Sequence, residues 1–173
     1  AEQLRAYRIE LVDKPEDLLG RIDAVMIESQ QGSRHLERAR PFLTAGLPTF
    51  VDKPFTETVR QADSLIALAS AHNAPLMSCS ALRYDPQVQN ALRLRDQCGA
   101  ILSADVWTSA DLHPGNPGLL HYGIHGVEML YALMGRGCEA VRCISTPAYD
   151  AVVGTWPEGR LGYVRGIRSG AGA

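Results

Sequence analysis

The side chains best suited to acid–base chemistry fall in two stretches, Asp52-Lys53-Pro54 and His121-Tyr122-Gly123-Ile124-His125, with Glu128 three residues further on. A lysine beside a cofactor and a substrate hydroxyl can donate a hydrogen bond, and burial lowers its pKa until it can shuttle a proton. The plainer alternative for Lys53 is a solvated loop lysine paired with Asp52. Spacings of four and three place His121, His125 and Glu128 on neighbouring parts of one helix face, where two imidazoles and a carboxylate could move protons or bind a metal. The metal reading is the weaker one, because a catalytic zinc helix carries Glu directly after its first His and Tyr122 stands there. The competing structural reading is one histidine packed and hydrogen-bonded in an interface and the other partly exposed.

Two further groups are weaker. Ser29, Gln30, Gln31, Gly32, Ser33 and His35 follow an apolar run and open a helix, so their backbone N–H groups could meet a ligand. For the His35 side chain itself a structural helix-start role is the favoured reading. Arg83-Tyr84 sits where two differently patterned halves of the chain join, a common place for ligands, although an interdomain ion pair suits Arg83 equally well. Cys79, Cys98, Cys138 and Cys143 form no Cys-x-x-Cys pair and read as small buried residues in a reducing compartment rather than as a metal or disulfide framework.

The elements that must position these residues follow from periodicity. Residues 9–12 are β-prone, 15–21 helical, and 24–27 an apolar run expected as a strand buried on both faces. Residues 35–45 have helical period through Leu36, Ala39, Phe42 and Leu43, with Gly46 as the stop and Pro41 expected to bend or weaken the helix. A strand at 49–51, an amphipathic helix from Val59 to about His72-Asn73 and a strand at 75–80 complete a parallel, right-handed crossover pattern. After Leu82 the layout changes. Asp85-Pro86 starts a helix that Cys98-Gly99 stops, and 101–109 is strand-like. Residues 119–134 read as one helix. Strands are expected at 141–145, 151–156 and 161–167, the last two forming a hairpin through residues 157–160, and the end from Ser169 is expected to fray.

The predicted architecture is therefore α/β: the C-terminal part of a Rossmann-like parallel sheet over residues 1–81, then an incomplete α+β domain with a mainly antiparallel sheet over 82–173. The 173 residues are 46% hydrophobic with a net charge of −2 and no basic stripe, which argues against a nucleic-acid partner. Apolar runs too short to span a bilayer argue against a membrane one. A cytoplasmic location is the default expectation.

Taken in order, the motifs resemble the glucose-fructose oxidoreductase/inositol dehydrogenase (Gfo/Idh/MocA) family. The likeness runs from about Arg21 to Arg168. It rests on the strand at 23–27, His35 opening the next helix, and Ala45-Gly46-Leu47-Pro48 before a strand. Asp52-Lys53-Pro54 stands where the family has Glu-Lys-Pro, and Arg83-Tyr84-Asp85-Pro86 at the entry to its second domain. Residues 123–128, with His125 and Glu128, stand where the family carries Asp-x-Gly-x-His-x-x-Asp. The resemblance implies a dehydrogenase using NAD or NADP on a sugar, cyclitol or related hydroxy compound, and a homo-oligomer formed through the C-terminal sheet. It implies that Ser29, Gln30, His35, Asp52, Lys53, Pro54 and Arg83 border the cofactor. Lys53, Tyr84, His121 and His125 would border the substrate, and Lys53, His125 and His121 would carry the catalysis.

Two departures qualify it. His121 replaces the family's carboxylate four residues before the histidine, which changes the polarisation of His125 and opens the identity of the base. No Gly-x-Gly-x-x-Gly turn occurs in the 173 residues, so this polypeptide alone is expected to bind NAD(P) poorly, and sub-micromolar binding would contradict that. The other readings are a non-catalytic relative using the same cleft for a ligand or protein, and a metal-dependent lyase or hydrolase using His121, His125 and Glu128.

Overall fold

The computed structural model describes residue 4 and residues 6–169, the Asp96 side chain excepted. Within them two sheets follow one another along the chain. The first is parallel, with strands β1 (Val25–Ile27), β2 (Thr49–Val51) and β3 (Leu76–Met77) in the order β1-β2-β3. Its crossovers are helices α1 (His35–Thr44) and α2 (Val59–Ala71). The second sheet has the order β4-β7-β6-β5, built from β4 (Ser103–Ser109), β5 (Ala140–Thr146), β6 (Tyr149–Thr155) and β7 (Leu161–Ile167). β4 and β7 are parallel, whereas β5-β6 and β6-β7 are antiparallel, so this sheet is mainly antiparallel as expected. Helices α3 (Pro86–Cys98) and α4 (Ile124–Met134) belong to this half.

Local chemistry sets the element ends. The Thr58 hydroxyl accepts from the Gln61 N–H and the Gln61 amide reaches back to the Thr58 N–H, a reciprocal cap for α2. The Asp85 carboxylate accepts from the Gln87 N–H at 2.8 Å with Pro86 in the first turn of α3. Gly46 ends α1 with a φ of 74°. Pro41 sits within α1 without ending it.

One core lies under the parallel sheet, where Ala39, Phe42 and Leu43 of α1 and Leu65 and Ala69 of α2 meet Ile27 and Val51. A second lies between α4 and the mixed sheet, with Leu130 and Met134 against Val106, Val164 and Trp156. Gly126 lets α4 come close, since a Cβ there would stand 2.8 Å from Thr108 Cγ2 and 3.2 Å from Val164 Cγ1.

Several expectations are corrected. Residues 9–12 form no strand: they pair with no described strand, and the Ile9 N–H turns back to the Leu4 carbonyl at 3.2 Å. Residues 15–21 reduce to a 3₁₀ turn at Pro15–Leu18. β1 is not buried on both faces, because Met26 is 64% exposed in a row with Phe50 and Met77 that none of the described helices covers. β3 is two residues rather than six, as the chain leaves the ladder for a 3₁₀ turn at Ala81–Tyr84 capped by Ser80. The helix expected over 119–134 is interrupted: a 3₁₀ turn at Gly118–Leu120 ends at His121, whose ψ of −84° departs from the helix, and α4 begins only at Ile124. Cys98 and Cys143 are exposed, and Cys79 and Cys138 only part-buried, because they lie at element ends or on the sheet's open side. The fray expected from Ser169 lies, beyond that residue, outside the described residues.

Candidate active site

The site lies at the carboxyl ends of β2 and β3, facing the start of α4. Lys53 leaves β2 through Asp52 and a cis Lys53-Pro54 bond, and its Nζ lies 4.9 Å from the centre of the Tyr122 ring. No carboxylate among the described residues is within ion-pair distance of that ammonium, so the loop pairing with Asp52 is not formed. Tyr122 touches both histidines, with ring centroids 4.8 Å from His121 and 5.7 Å from His125. Lys53, His121 and His125 therefore gather around one aromatic ring.

His125 is fixed from behind. Its Nδ1 is 2.6 Å from the hydroxyl of Ser80, which is fully buried and also accepts from the Leu82 N–H at 3.1 Å. The Arg83 guanidinium donates to Glu128 at 3.1 Å, one turn along α4. The Ala81–Tyr84 turn thus clamps the same helix twice, and Glu128 is committed to Arg83 rather than to a metal with the histidines. Tyr84 is exposed, with the Arg83 guanidinium 5.8 Å from its ring, and takes no part in the Tyr122 cluster.

His121 does not share a helix face with His125. It precedes α4, is 7% exposed, and stacks on His113 with ring centroids 4.7 Å apart. Burial first, then His113 and Lys53, hold the His121 imidazole below its ordinary pKa of 6.5, with Asp111 opposing. Burial first, then Lys53 and His121, do the same to His125, with Asp52 opposing. Both rings are held toward the neutral form.

In the segment after β1 the His35 side chain is structural, as favoured from the sequence, whereas the Gly32 N–H is not open. The His35 ring is fully buried, with Nδ1 3.1 Å from the Phe55 carbonyl and Nε2 2.6 Å from the Ser29 carbonyl, so it ties the two strand-end loops together. The Gly32 N–H is not open to a ligand: Asn116 Oδ1 accepts it at 3.1 Å, while Asn116 Nδ2 donates to the Gln30 carbonyl at 2.7 Å. Ser29 Oγ is buried without a partner, and a cleft of about 240 Å³ opens beside it between Gln30, Gln31, Arg34 and Arg38.

Ser80, His113 and Asn116 were absent from the sequence reading. Ser80 carries no local pattern beyond a serine at the end of an apolar run. His113 and Asn116 lie in a Pro- and Gly-rich loop whose path spacing does not reveal.

A parallel sheet with residues gathered at its strand ends, followed by a helix-backed mixed sheet, defines a Rossmann-like α/β architecture. Residues 1–79 match the family model GFO_IDH_MocA, described as oxidoreductase family, NAD-binding Rossmann fold. It is 36% identical over 81 residues to YceM of Salmonella typhimurium, a protein named as an oxidoreductase, covering 47% of this chain and 26% of that one. Solved structures share the fold. UDP-N-acetylglucosamine 3-dehydrogenase GnnA from Acidithiobacillus ferrooxidans superposes with a TM-score of 0.84 at 23% identity over 98% of this chain and 56% of its own. Myo-inositol 2-dehydrogenase from Lactobacillus plantarum gives 0.83 at 17% over 99% and 60%. GenD2 from gentamicin A biosynthesis, solved in complex with NAD, gives 0.84 at 18% over 99% and 56%. The chain thus spans roughly a quarter of the curated relative and under two thirds of these structures.

Proposed function

We propose that this chain carries the substrate half and the nicotinamide edge of an NAD(P)-dependent oxidoreductase acting on a hydroxyl of a sugar, cyclitol or similar compound. The convergence of Lys53 from the end of β2 and His125 from the start of α4 on the Tyr122 ring is the observation that carries this reading. The residues fit a nicotinamide nucleotide on one specific point: Ser29 Oγ, at the end of β1, is buried and lacks a partner that a ligand oxygen or amide could supply. When bound, the nicotinamide supplies the hydride chemistry.

The chain's own residues supply the proton chemistry. Lys53 has donors to spare and no carboxylate partner, so it can donate a hydrogen bond to the reacting hydroxyl oxygen. His125 takes or returns the hydroxyl proton at Nε2. The Ser80 hydroxyl holds the ring in both states, because it accepts from Nδ1–H when Nε2 is bare and still accepts from it in the imidazolium that forms when Nε2 takes the proton. Arg83 and Glu128 hold α4 in place during this exchange. The boundary proposed near residues 81–82 sets this clamp at the hinge between the parallel and mixed sheets. The mixed sheet's uncovered side, where Trp107, Arg165, Ala151 and Ile144 form one cross-strand row, is proposed as the homo-oligomer face.

The test is calorimetric titration of the full-length protein with NAD and NADP, followed by turnover on a sugar and polyol panel read at the nicotinamide absorbance. Binding of one nucleotide with turnover on a panel member is the expected result. Binding of neither would overturn the reading in favour of a cleft that holds a ligand or protein without redox chemistry.

A further inference from the structure

The group facing Lys53 is unusual in its charge balance. His121 is more than nine-tenths buried, yet neither of its ring nitrogens hydrogen-bonds to a described residue. Its ring nitrogens are not among the described side-chain atoms sealed from solvent without a partner, so they face water that a polar ligand atom can replace. Lys53 beside it is equally without an anion. His113, stacked on His121, has its Nδ1 engaged by the Gly115 N–H at 3.0 Å, which leaves Nε2 as its donor. Among the described residues the carboxylates that act on His121 and His125 are Asp111, which is exposed, and Asp52, and neither reaches ion-pair distance of Lys53, His113, His121 or His125.

This cluster is rich in donors and poor in acceptors. An ammonium offers three donors and no acceptor, His113 adds its Nε2 donor, and the neutral His121 ring brings one donor and one acceptor. A neutral polyol brings as many donors as acceptors and leaves part of this set unmatched. A carboxylate or phosphate brings acceptors alone, and charge-assisted bonds to it are the stronger kind.

Resting on the oxidoreductase reading, we infer that the hydroxy compound this site takes bears an anionic group, a carboxylate or a phosphate, received by Lys53, His121 and His113 beside the Tyr122 ring. His121 is then a specificity residue: an imidazole placed there accepts an anionic substituent that a carboxylate at the same position would repel.

The experiment is calorimetry on the full-length protein saturated with its nucleotide, using gluconate, glucose 6-phosphate, glucose and myo-inositol as probes at low and high salt. One of the two anions is expected to bind about tenfold tighter than either neutral compound, which corresponds to one charge-assisted contact. The advantage should shrink with salt. Which anion wins separates the carboxylate from the phosphate source. His121→Asp should reverse the preference, and His121→Gln, which keeps a polar side chain if the Asp variant does not fold, should abolish it. Neutral compounds binding as tightly as the anions, or no probe binding to the nucleotide-loaded protein, would overturn the inference alone. Failure to bind any nucleotide would overturn the oxidoreductase reading and the inference with it.

Discussion

His125 is the residue on which most of the chemistry converges, and its environment sets a direction in pH. Burial, Lys53 and His121 lower its pKa from 6.5, and burial, His113 and Lys53 do the same for His121. A base with a lowered pKa is already unprotonated at neutral pH, so kcat/KM should rise with pH to a plateau whose midpoint lies below 6.5. The same shifts bear on stability. The unfolded chain binds a proton at each imidazole near 6.5 while the folded one resists, so stability is complete above that value and is lost as pH falls through the folded pKa values. Thermal melts from pH 8 to about 5 should show this loss, and His121→Gln should flatten it. A melting temperature independent of pH in the wild type would contradict the burial of both rings. Asn116 belongs to the same scale. Its carboxamide is buried and serves Gly32 and Gln30 at once, so Asn116→Ala, which leaves the Gly32 N–H unpaired, should cost about 1–3 kcal/mol in denaturant unfolding.

At the scale of elements, the approach of α4 to the mixed sheet decides where His125 stands. Gly126→Ala adds a Cβ only 2.8 Å from the stiff β-branched Thr108, and overpacking of roughly 1–3 kcal/mol should exceed the gain of about 1 kcal/mol in helix propensity. A net loss of stability by chemical denaturation is expected, together with a larger fall in turnover than in nucleotide affinity. Much of this level was readable from the chain alone. Caps and stops such as Asp85-Pro86, Gly46 and Cys98-Gly99 act through neighbouring residues, so they hold whatever the tertiary structure does. The run over 119–134 misled because apolar period says nothing about the break at His121, whose ring stacks on His113. For the same reason the three-residue face of His121, His125 and Glu128 dissolves into three separate partnerships. Lys53 and His125 could be picked out by residue type and motif, whereas what Ser80 and Asn116 do at the site rests on contacts with residues 45 and more than 80 positions away.

On the scale of the whole molecule, the uncovered side of the mixed sheet leaves apolar side chains open to solvent. Trp107 is 61% and Ile144 73% exposed on one cross-strand row, beside a cavity of about 730 Å³ that includes Tyr149 and Tyr163. If two copies meet there, Ile144→Lys should shift sedimentation toward the monomer without lowering the melting temperature of the monomer itself, while a wild type already monomeric would contradict the interface. Long-range order of this kind was legible only as strand alternation, since which side of a sheet stays bare depends on where α4 docks.

The measurement that bears most directly on the account is single-turnover reduction of the bound nucleotide by the full-length protein, wild type beside Lys53→Met and His125→Asn, on the substrate that the panel identifies. Removing a positioned acid or base should slow the step by about 10²–10⁴-fold while nucleotide affinity in His125→Asn stays within a few-fold of wild type. A rate unchanged in either variant, with the fold intact by melting, would mean that the Tyr122-centred cluster does not carry the chemistry.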